Sequence, residues 1–434
     1  MTGKLPQLRV APDGRFLQNE AGAPFFYLGD TAWELFHRLT LGEAKLYLED
    51  RAAKGFTVIQ AVVLGELQGL TVPNANGDVP FTDISTFAWN EAYFRHVDAI
   101  VACANSLGLY IGMLPSWGCF WHSGSADCVF DETSARAYAE KLAARYRDAG
   151  IIWVLGGDRR PVKARDQRVV AAFAEGLRAG DGGAHLITFH PCGPGLSAEH
   201  FADAPWLDFN MCQSSHAARN HDNGACIRRS RELSPNKPAL DGEPRYEQIP
   251  VGFYNVGMNP AVRFDDYDAR QAAYFAVFSG ACGHTYGNNN VWQMYAPGRE
   301  PRIHANVPWH EAIHHPGARQ VGRLRALMEK IDFAKLEPAN EYIVSNSRTA
   351  CGPVLALKHR DDAWMAVYTP DGTPVELDQA WMHDAAYESC WFSPEYGTTY
   401  PLHRPSDNAA FQTYVPPTSG RGCDWVLLLR RVDG

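Results

Sequence analysis

The chain has no run of about 18 apolar residues, so no membrane-spanning helix is expected. It also lacks any cluster of Lys and Arg. Its 40 basic residues stand against 49 acidic ones, a formal net charge of −9 over 434 residues. Neutralising a phosphate backbone needs such clusters, so a nucleic-acid partner is not expected. None of the 10 cysteines forms a Cys-x-x-Cys pair. Cys103 in IVACAN and Cys212 in FNMCQ sit in apolar runs, as buried reduced thiols do, and Cys119 and Cys128 could pair only in an exported protein. The opening MTGKLPQLRVAPDG has no apolar leader segment. A cytoplasmic location is therefore expected, or a periplasmic or secreted one if a leader has been trimmed. Two nucleophile and phosphate motifs are missing as well: a Gly-x-Ser-x-Gly elbow and a glycine-rich loop after the first strand.

Hydrophobic residues make up 46% and charged ones 21%, with 12 Trp, 18 Tyr and 21 Phe. That composition is globular and rich in aromatics. Between residues 25 and 333 short apolar runs alternate with amphipathic segments. The expected strands are PFFYLG (24–29), TVIQAVVL (57–64), LYIGML (109–114), IIWVLG (151–156), HLITFH (185–190), LDFNMC (207–212), PALDGE (238–243) and GHTYGN (283–288). Helix patterns lie between them. The first opens on a capping box, Thr40 to Glu43, and stops at Gly55; others fall near 90–107, 132–148, 165–178, 197–203, 224–233, 266–279 and 317–330. Eight strand–helix units over some 300 residues predict an α/β fold, a (β/α)8 TIM barrel. Residues 1–24, with a turn at Asp13-Gly14, predict a hairpin plugging the barrel's N-terminal end. From 336 to 434 the runs EYIVSNS, PVLALKHR, AWMAVYTP, PVELD and DWVLLLRRV are separated by turn residues. They predict a C-terminal antiparallel β-sandwich that packs directly on the barrel.

Barrel chemistry sits just past the C-terminal ends of the strands. Those positions offer Asp30, Trp33, Glu66, Trp117, Asp158, His190, Gln213, His216, Glu243, Tyr246, Tyr286 and Trp292. Carboxylates from two strand ends, set among Trp and Tyr, suit glycosidic bond cleavage: one protonates the leaving oxygen and the other meets the developing oxocarbenium ion. Asp158, behind two glycines in IIWVLGGDR, is the expected general acid/base. Its bland alternatives are a helix cap or a partner for Arg159 or Arg160. Glu243, between Gly242 and Pro244, is the expected nucleophile, with Asp241 and Glu247 as competitors. Asp30, Trp33, Glu66, Trp117, His190, Gln213, His216, Tyr246, Tyr286 and Trp292 are expected to bind substrate.

PFFYLGDTAWELF, IIWVLGGDR, Gln213-Ser-Ser-His216, LDGEPRYE and HTYGNNNVWQ together resemble the apiosidase-like glycoside hydrolases, and the last 100 residues resemble the β-sandwich labelled collagen-binding in those proteins. The resemblance implies a barrel hydrolase acting on plant or microbial glycans or glycosides. It also implies a retaining mechanism with the Asp after strand four and the Glu after strand seven as catalytic pair, here Asp158 and Glu243. The wider barrel-hydrolase superfamily carries Asn-Glu after strand four, where Gly157-Asp158 stands here, so the amide that would hold the sugar 2-hydroxyl is missing. No cofactor or metal is implied.

His310-Glu311-Ala312-Ile313-His314 matches the zinc-peptidase pattern, in which two imidazoles one helical turn apart hold the metal. Pro316-Gly317 ends that segment and Pro308 restricts its start, which argues against a helix long enough to serve. A zinc metallopeptidase and a non-catalytic carbohydrate-binding barrel are the alternatives to the glycosidase.

Overall fold

The structure, a computed structural model, describes residues 4–345, 347–382, 385–402 and 410–432. Eight parallel strands form the barrel: β1 Tyr27–Thr31, β2 Val58–Val62, β3 Tyr110–Leu114, β4 Ile151–Gly156, β5 Ile187–His190, β6 Asn210–Gln213, β7 Ala239–Glu243 and β8 Gly283–Tyr286. Their order is β5-β4-β3-β2-β1-β8-β7-β6, and a short strand, Gly195–Leu196, adds antiparallel to β6. The seam between β5 and β6 is bridged by Asp208 N–H to the Ile187 carbonyl at 2.9 Å and by the Thr188 hydroxyl to the Phe209 carbonyl at 2.7 Å. A helix follows each strand: α1 Leu41–Ala53, α2 Glu91–Ser106, α3 Glu132–Tyr146, α4 Ala164–Asp181, the single turn α5 Ala198–Phe201, α6 Gly224–Leu233, α7 Asp266–Phe278 and α8 Pro316–Lys330. Caps explain several starts. Thr40 and Glu43 form the expected capping box on α1, and Asp131 with Ser134 and Asp265 with Asp268 do the same for α3 and α7.

The first expected strand divides at Phe26. Pro24–Phe25 pairs with Leu17–Asn19, which pairs in turn with Leu8–Val10 in a separate three-stranded sheet, and only Tyr27–Thr31 enters the barrel. That small sheet lies against the N-terminal strand ends, where the Tyr110 hydroxyl donates to the Pro6 carbonyl at 2.6 Å. Arg15 fastens it to the next segment through the Ala334 and Leu336 carbonyls at 2.7 and 3.0 Å.

Inside the barrel, small residues make room for one central polar side chain. Gln60 accepts from the Tyr27 hydroxyl at 3.2 Å and donates to the Gly242 carbonyl at 3.1 Å. A Cβ on Gly112 would stand 3.2 Å from both Gln60 and the Tyr27 hydroxyl. The bridge braces β7 one residue before Glu243.

The C-terminal region is built on an antiparallel sheet: β9 Leu336–Pro338, β10 Leu355–His359, β11 Trp364–Thr369, β12 Tyr387–Phe392, β13 Thr399–Leu402 and β14 Trp425–Arg431, in the order β9-β10-β11-β14-β12-β13. The strand period of two divides its apolar residues between two cores. Leu355, Leu357, Ala366, Tyr368, Val426 and Leu428 join the barrel's core. Ala356, Met365, Val367, Leu427 and Leu429 face a second core with Val375, Leu377, Trp381 and Tyr414, which come from the paired strands Val375–Asp378 and Phe411–Tyr414 and the 3-10 turn Gln379–Met382 that follows the first. Burial on both faces is why AWMAVYTP and DWVLLLRRV read as continuous apolar runs. EYIVSNS does not form the expected strand. Asn340–Tyr342 is a short 3-10 turn whose Asn340 side chain accepts from Ala356 N–H at 2.8 Å, and residue 346 lies outside the described residues. The ten cysteines, Cys119 and Cys128 included, are free thiols. Among the described residues, no helix is long and apolar enough to cross a membrane.

Candidate active site

Three consecutive residues with positive φ turn the chain at the end of β4: Gly156 at 98°, Gly157 at 96° and Asp158 at 55°. Glycine is required at the first two. A Cβ on Gly156 would stand 2.2 Å from the His190 carbonyl oxygen, and one on Gly157 2.7 Å from Gly118 N. Hydrogen bonds from Gly157 N–H to the His190 carbonyl (3.2 Å) and from Gly118 N–H to the Gly157 carbonyl (3.0 Å) knit the ends of β3, β4 and β5 together. Asp158 tolerates its left-handed backbone as Asp and Asn do. It caps no helix, since the N-cap of α4 is Lys163, which makes no side-chain cap. Nor do the neighbouring guanidinium groups claim its carboxylate by hydrogen bonding: Arg159 bonds the Asp158 main-chain carbonyl at 2.8 Å and Arg160 that of Pro194 at 2.9 Å.

Glu243 ends β7. The register between β6 and β7 slips at Cys212/Gln213, and the irregularity sets Gln213 beside Glu243. Gln213 Nε2 donates to Glu243 Oε1 at 2.7 Å, His216 Nε2 stands 3.1 Å from the same oxygen, and His190 Nε2 stands 3.0 Å from Oε2. Burial opposes the charge on Glu243, but the two imidazoles outweigh it and hold the carboxyl well below the usual carboxylate range. Asp158 moves the other way, raised first by burial and then by the negative charge of Glu243. The Cys192 thiol lies against Asp158, its own ionisation pushed up by burial and by that carboxylate.

Aromatic rings wall the pair. Trp33 lies 5.3 Å from both Trp117 and His190, edge-on to the latter, and the Tyr246 ring lies 4.8 Å from His216. The Trp117 indole N–H and the Tyr246 hydroxyl are buried with no hydrogen-bond partner of good geometry. Glu66, partly exposed on the loop after β2, is pushed up to about 8 by burial, then by the charges of Asp158, Glu34 and Glu243. Its loop is held by Glu34, which accepts from Leu67 N–H at 3.1 Å and contacts His37 Nδ1 at 2.7 Å. The site therefore gathers Asp158, Glu243, Glu66, Trp33, Trp117, His190, Gln213, His216 and Tyr246.

Two expected substrate-binding residues, Asp30 and Tyr286, lie elsewhere, and among the described residues no ring contact ties a third, Trp292, to the pair. Asp30 and Tyr286 are register partners on β1 and β8 and share the face turned toward the helices. Asp30 has no exposure and accepts from the Tyr47 hydroxyl and Arg51 Nε of α1, both at 2.5 Å. Tyr286 donates to Glu247 at 2.5 Å. The alternation of a strand decides this: the inward residues are their neighbours Gly29 and Thr285. Trp292 spends its indole N–H on Asn289 of its own loop at 3.2 Å. The competitors of Glu243 are likewise engaged outside the cleft: Asp241 accepts from Asn223 at 2.8 Å, and Glu247 takes Tyr286 and Gly317 N–H.

The His310–His314 segment forms one helical turn, Trp309–Ala312, that ends before His314. The His310 and His314 side chains are 50% and 70% exposed, and the Ile313 carbonyl between them is held by Arg51 and Lys54. Among the described residues no three His, Cys, Asp or Glu side chains converge as a metal would need. Glu34 and Cys192 were not legible as parts of the site, because Glu34 reaches it through the Glu66 loop and Cys192 only by lying against Asp158, one strand earlier in the chain.

A parallel barrel with opposed carboxylates and an aromatic wall at its C-terminal mouth, backed by an antiparallel accessory sheet, is the equipment of a glycoside hydrolase. The family model for the apiosidase-like catalytic domain matches residues 11–335, and the chain belongs to that family. A second model, "Putative collagen-binding domain of a collagenase", matches residues 338–430. One solved structure, described as a glycoside hydrolase, is 32% identical with a TM-score of 0.89, the match covering 98% of this chain and 97% of that one. A family 5 glycoside hydrolase from Bacteroides vulgatus ATCC 8482 is 31% identical with a TM-score of 0.90, covering 98% and 94%. A family 5 mannosidase from Rhizomucor miehei, 13% identical over 76% of this chain and 100% of that one with a TM-score of 0.54, shares the fold alone. No curated protein matches the chain. The protein is a glycoside hydrolase.

Proposed function

We propose that the chain removes a terminal sugar from plant or microbial glycans or glycosides by double displacement, with apiosides the first substrates to try. One observation carries this reading: within one cleft Asp158 is held toward its protonated form while Glu243 is held ionised. Carboxyl groups pushed apart in this way divide into a general acid and an ionised partner, and the double-displacement reading gives that partner the role of nucleophile. Asp158 donates its proton to the glycosidic oxygen as the bond to C1 breaks, and Glu243 adds to C1 to give a glycosyl ester. Asp158, now ionised, then takes a proton from water as that water attacks C1, and Glu243 is released. The burial of His190, Trp33, Trp117 and Tyr246 around Glu243 favours a single terminal ring over a chain lying through the site.

The experiment is a screen of aryl glycosides, furanosides included, with the first-formed anomer followed by NMR. Release of the starting anomer is expected. Initial release of the opposite anomer overturns double displacement, and activity lost to a chelator and restored by zinc overturns the carboxylate mechanism.

A further inference from the structure

The loop from 251 to 262, between β7 and α7, places apolar side chains in solvent beside the catalytic mouth. Tyr254 is 54% exposed, Val262 46%, and Val256 is fully exposed. The loop is nonetheless fixed. Val251 N–H donates to the Val262 carbonyl at 2.9 Å and Gly252 N–H to the His216 carbonyl at 2.8 Å. The Phe253 ring lies 5.8 Å from the His216 imidazole and 5.0 Å, edge-on, from Tyr254. The Tyr254 hydroxyl is bonded to Ser215 Oγ at 3.0 Å. Ser215 holds φ at 114°, a value rarely taken outside glycine, and directly precedes His216, which contacts Glu243. A short chain of contacts thus ties an outward-facing aromatic to the partner of the nucleophile. A ring pinned in the open loses little freedom when another ring stacks on it, which makes it a preorganised platform.

Resting on the glycosidase reading above, we propose that Phe253 and Tyr254 form the platform for the leaving group. The preferred substrate then carries a ring, a second sugar or an aryl group, directly beyond the bond that is cleaved. The cleaved sugar occupies the buried end of the cleft, among Trp33, Trp117, His190 and Tyr246, so what reaches the rim beside His216 is the part that departs.

Binding of uncleavable analogues tests this without depending on turnover. The probes are a thio-linked disaccharide and an aryl 1-thioglycoside, with the methyl 1-thioglycoside of the same sugar as control, titrated by calorimetry. Tyr254→Ala should weaken a ring-bearing probe roughly tenfold and leave the methyl control unchanged, while Tyr254→Phe, which keeps the ring, should lose much less. Loss for the disaccharide alone identifies a sugar leaving group, and loss for the aryl probe alone identifies an aryl one. Equal weakening of all three probes, or of none, overturns the platform. The melting temperature of each variant distinguishes a misfolded loop from a lost contact, and Phe253→Leu repeats the test should Tyr254→Ala not fold. In turnover Tyr254→Ala should raise KM for ring-bearing glycosides far more than for the glycosyl fluoride. Failure of the wild-type enzyme to cleave any glycoside would strike the glycosidase reading, whereas the binding result bears on the platform alone.

Discussion

At the scale of single residues the site is defined by opposite treatment of similar groups. Glu243 receives Gln213 and two imidazoles and keeps its charge, whereas Asp158 receives burial and a nearby carboxylate and resists ionisation. Activity should therefore fall on the alkaline side as Asp158 gives up its proton. In Asp158→Asn that alkaline limb should vanish, with turnover of poor leaving groups down about 10²–10⁴-fold and that of activated aryl glycosides much less affected. Equal losses for both substrate classes would assign Asp158 another role. The same substitution removes a group whose ionised form raises Glu66, so the Glu66 titration should move down from about 8, as carboxyl carbon NMR would register. Asp241, fully buried and pushed up to about 7 by that burial and then by Cys226, works on stability instead. Its folded-state value lies above its unfolded one. Its contribution is therefore complete below about pH 4 and is lost as the pH rises toward 7. Asp241→Asn should flatten the fall in melting temperature between pH 5 and pH 8, and an unchanged slope would remove Asp241 from the account.

At the scale of elements the turn after β4 is the feature on which the site most depends. Gly157→Ala would push a methyl group to 2.7 Å from Gly118 N in a left-handed backbone, displacing Asp158 and the ends of β3 and β5 together. The expected result is a large fall in kcat and a loss of stability of about 1–3 kcal/mol, measured by steady-state kinetics and chemical unfolding. This turn was legible beforehand, because two glycines ahead of an Asp at a strand's end have few other uses. Strand and helix positions were legible for the same kind of reason: apolar runs of four to six residues and the Thr40–Glu43 cap are local signals. The facing of the side chains was not. Asp30 and Tyr286 occupy strand ends and look equivalent to Glu243 in sequence, but the pleat turns both toward α1 and α8, where Arg51 and Glu247 take them. Gln213 reaches Glu243 only through the slipped register at Cys212, a feature set by how two strands meet. Tyr254 carried no signal at all, since its meaning comes from Ser215, distant in sequence and adjacent in space.

At the scale of the whole molecule the accessory sheet is part of the barrel's core, and one buried ion pair lies across the junction. Arg270 of α7 places Nη2 2.7 Å from Asp424 Oδ1 and Nε within 3.1 Å of both oxygens, with neither side chain more than 1% exposed. Tyr368 adds its hydroxyl to Asp424 at 3.2 Å, and its ring stacks on Tyr274 of α7 at 4.7 Å. Removing one partner strands a buried charge, which is far more costly than losing the pair as a unit. Asp424→Ala should therefore destabilise the protein by about 3–5 kcal/mol. Arg270→Met combined with Asp424→Leu should recover much of that loss, because two apolar groups of similar bulk leave no charge unsatisfied. The two transitions should also remain one: calorimetry of the intact chain should show barrel and sheet unfolding together, since Leu355, Leu357, Val426 and Leu428 pack into the barrel's core rather than against solvent. Excising the sheet after residue 333 exposes the opposite side of that contact and should give an aggregating barrel. A soluble, fully active fragment ending there, or two well-separated calorimetric peaks, would mean that the junction is a contact between independent domains and that Arg270 and Asp424 merely decorate it.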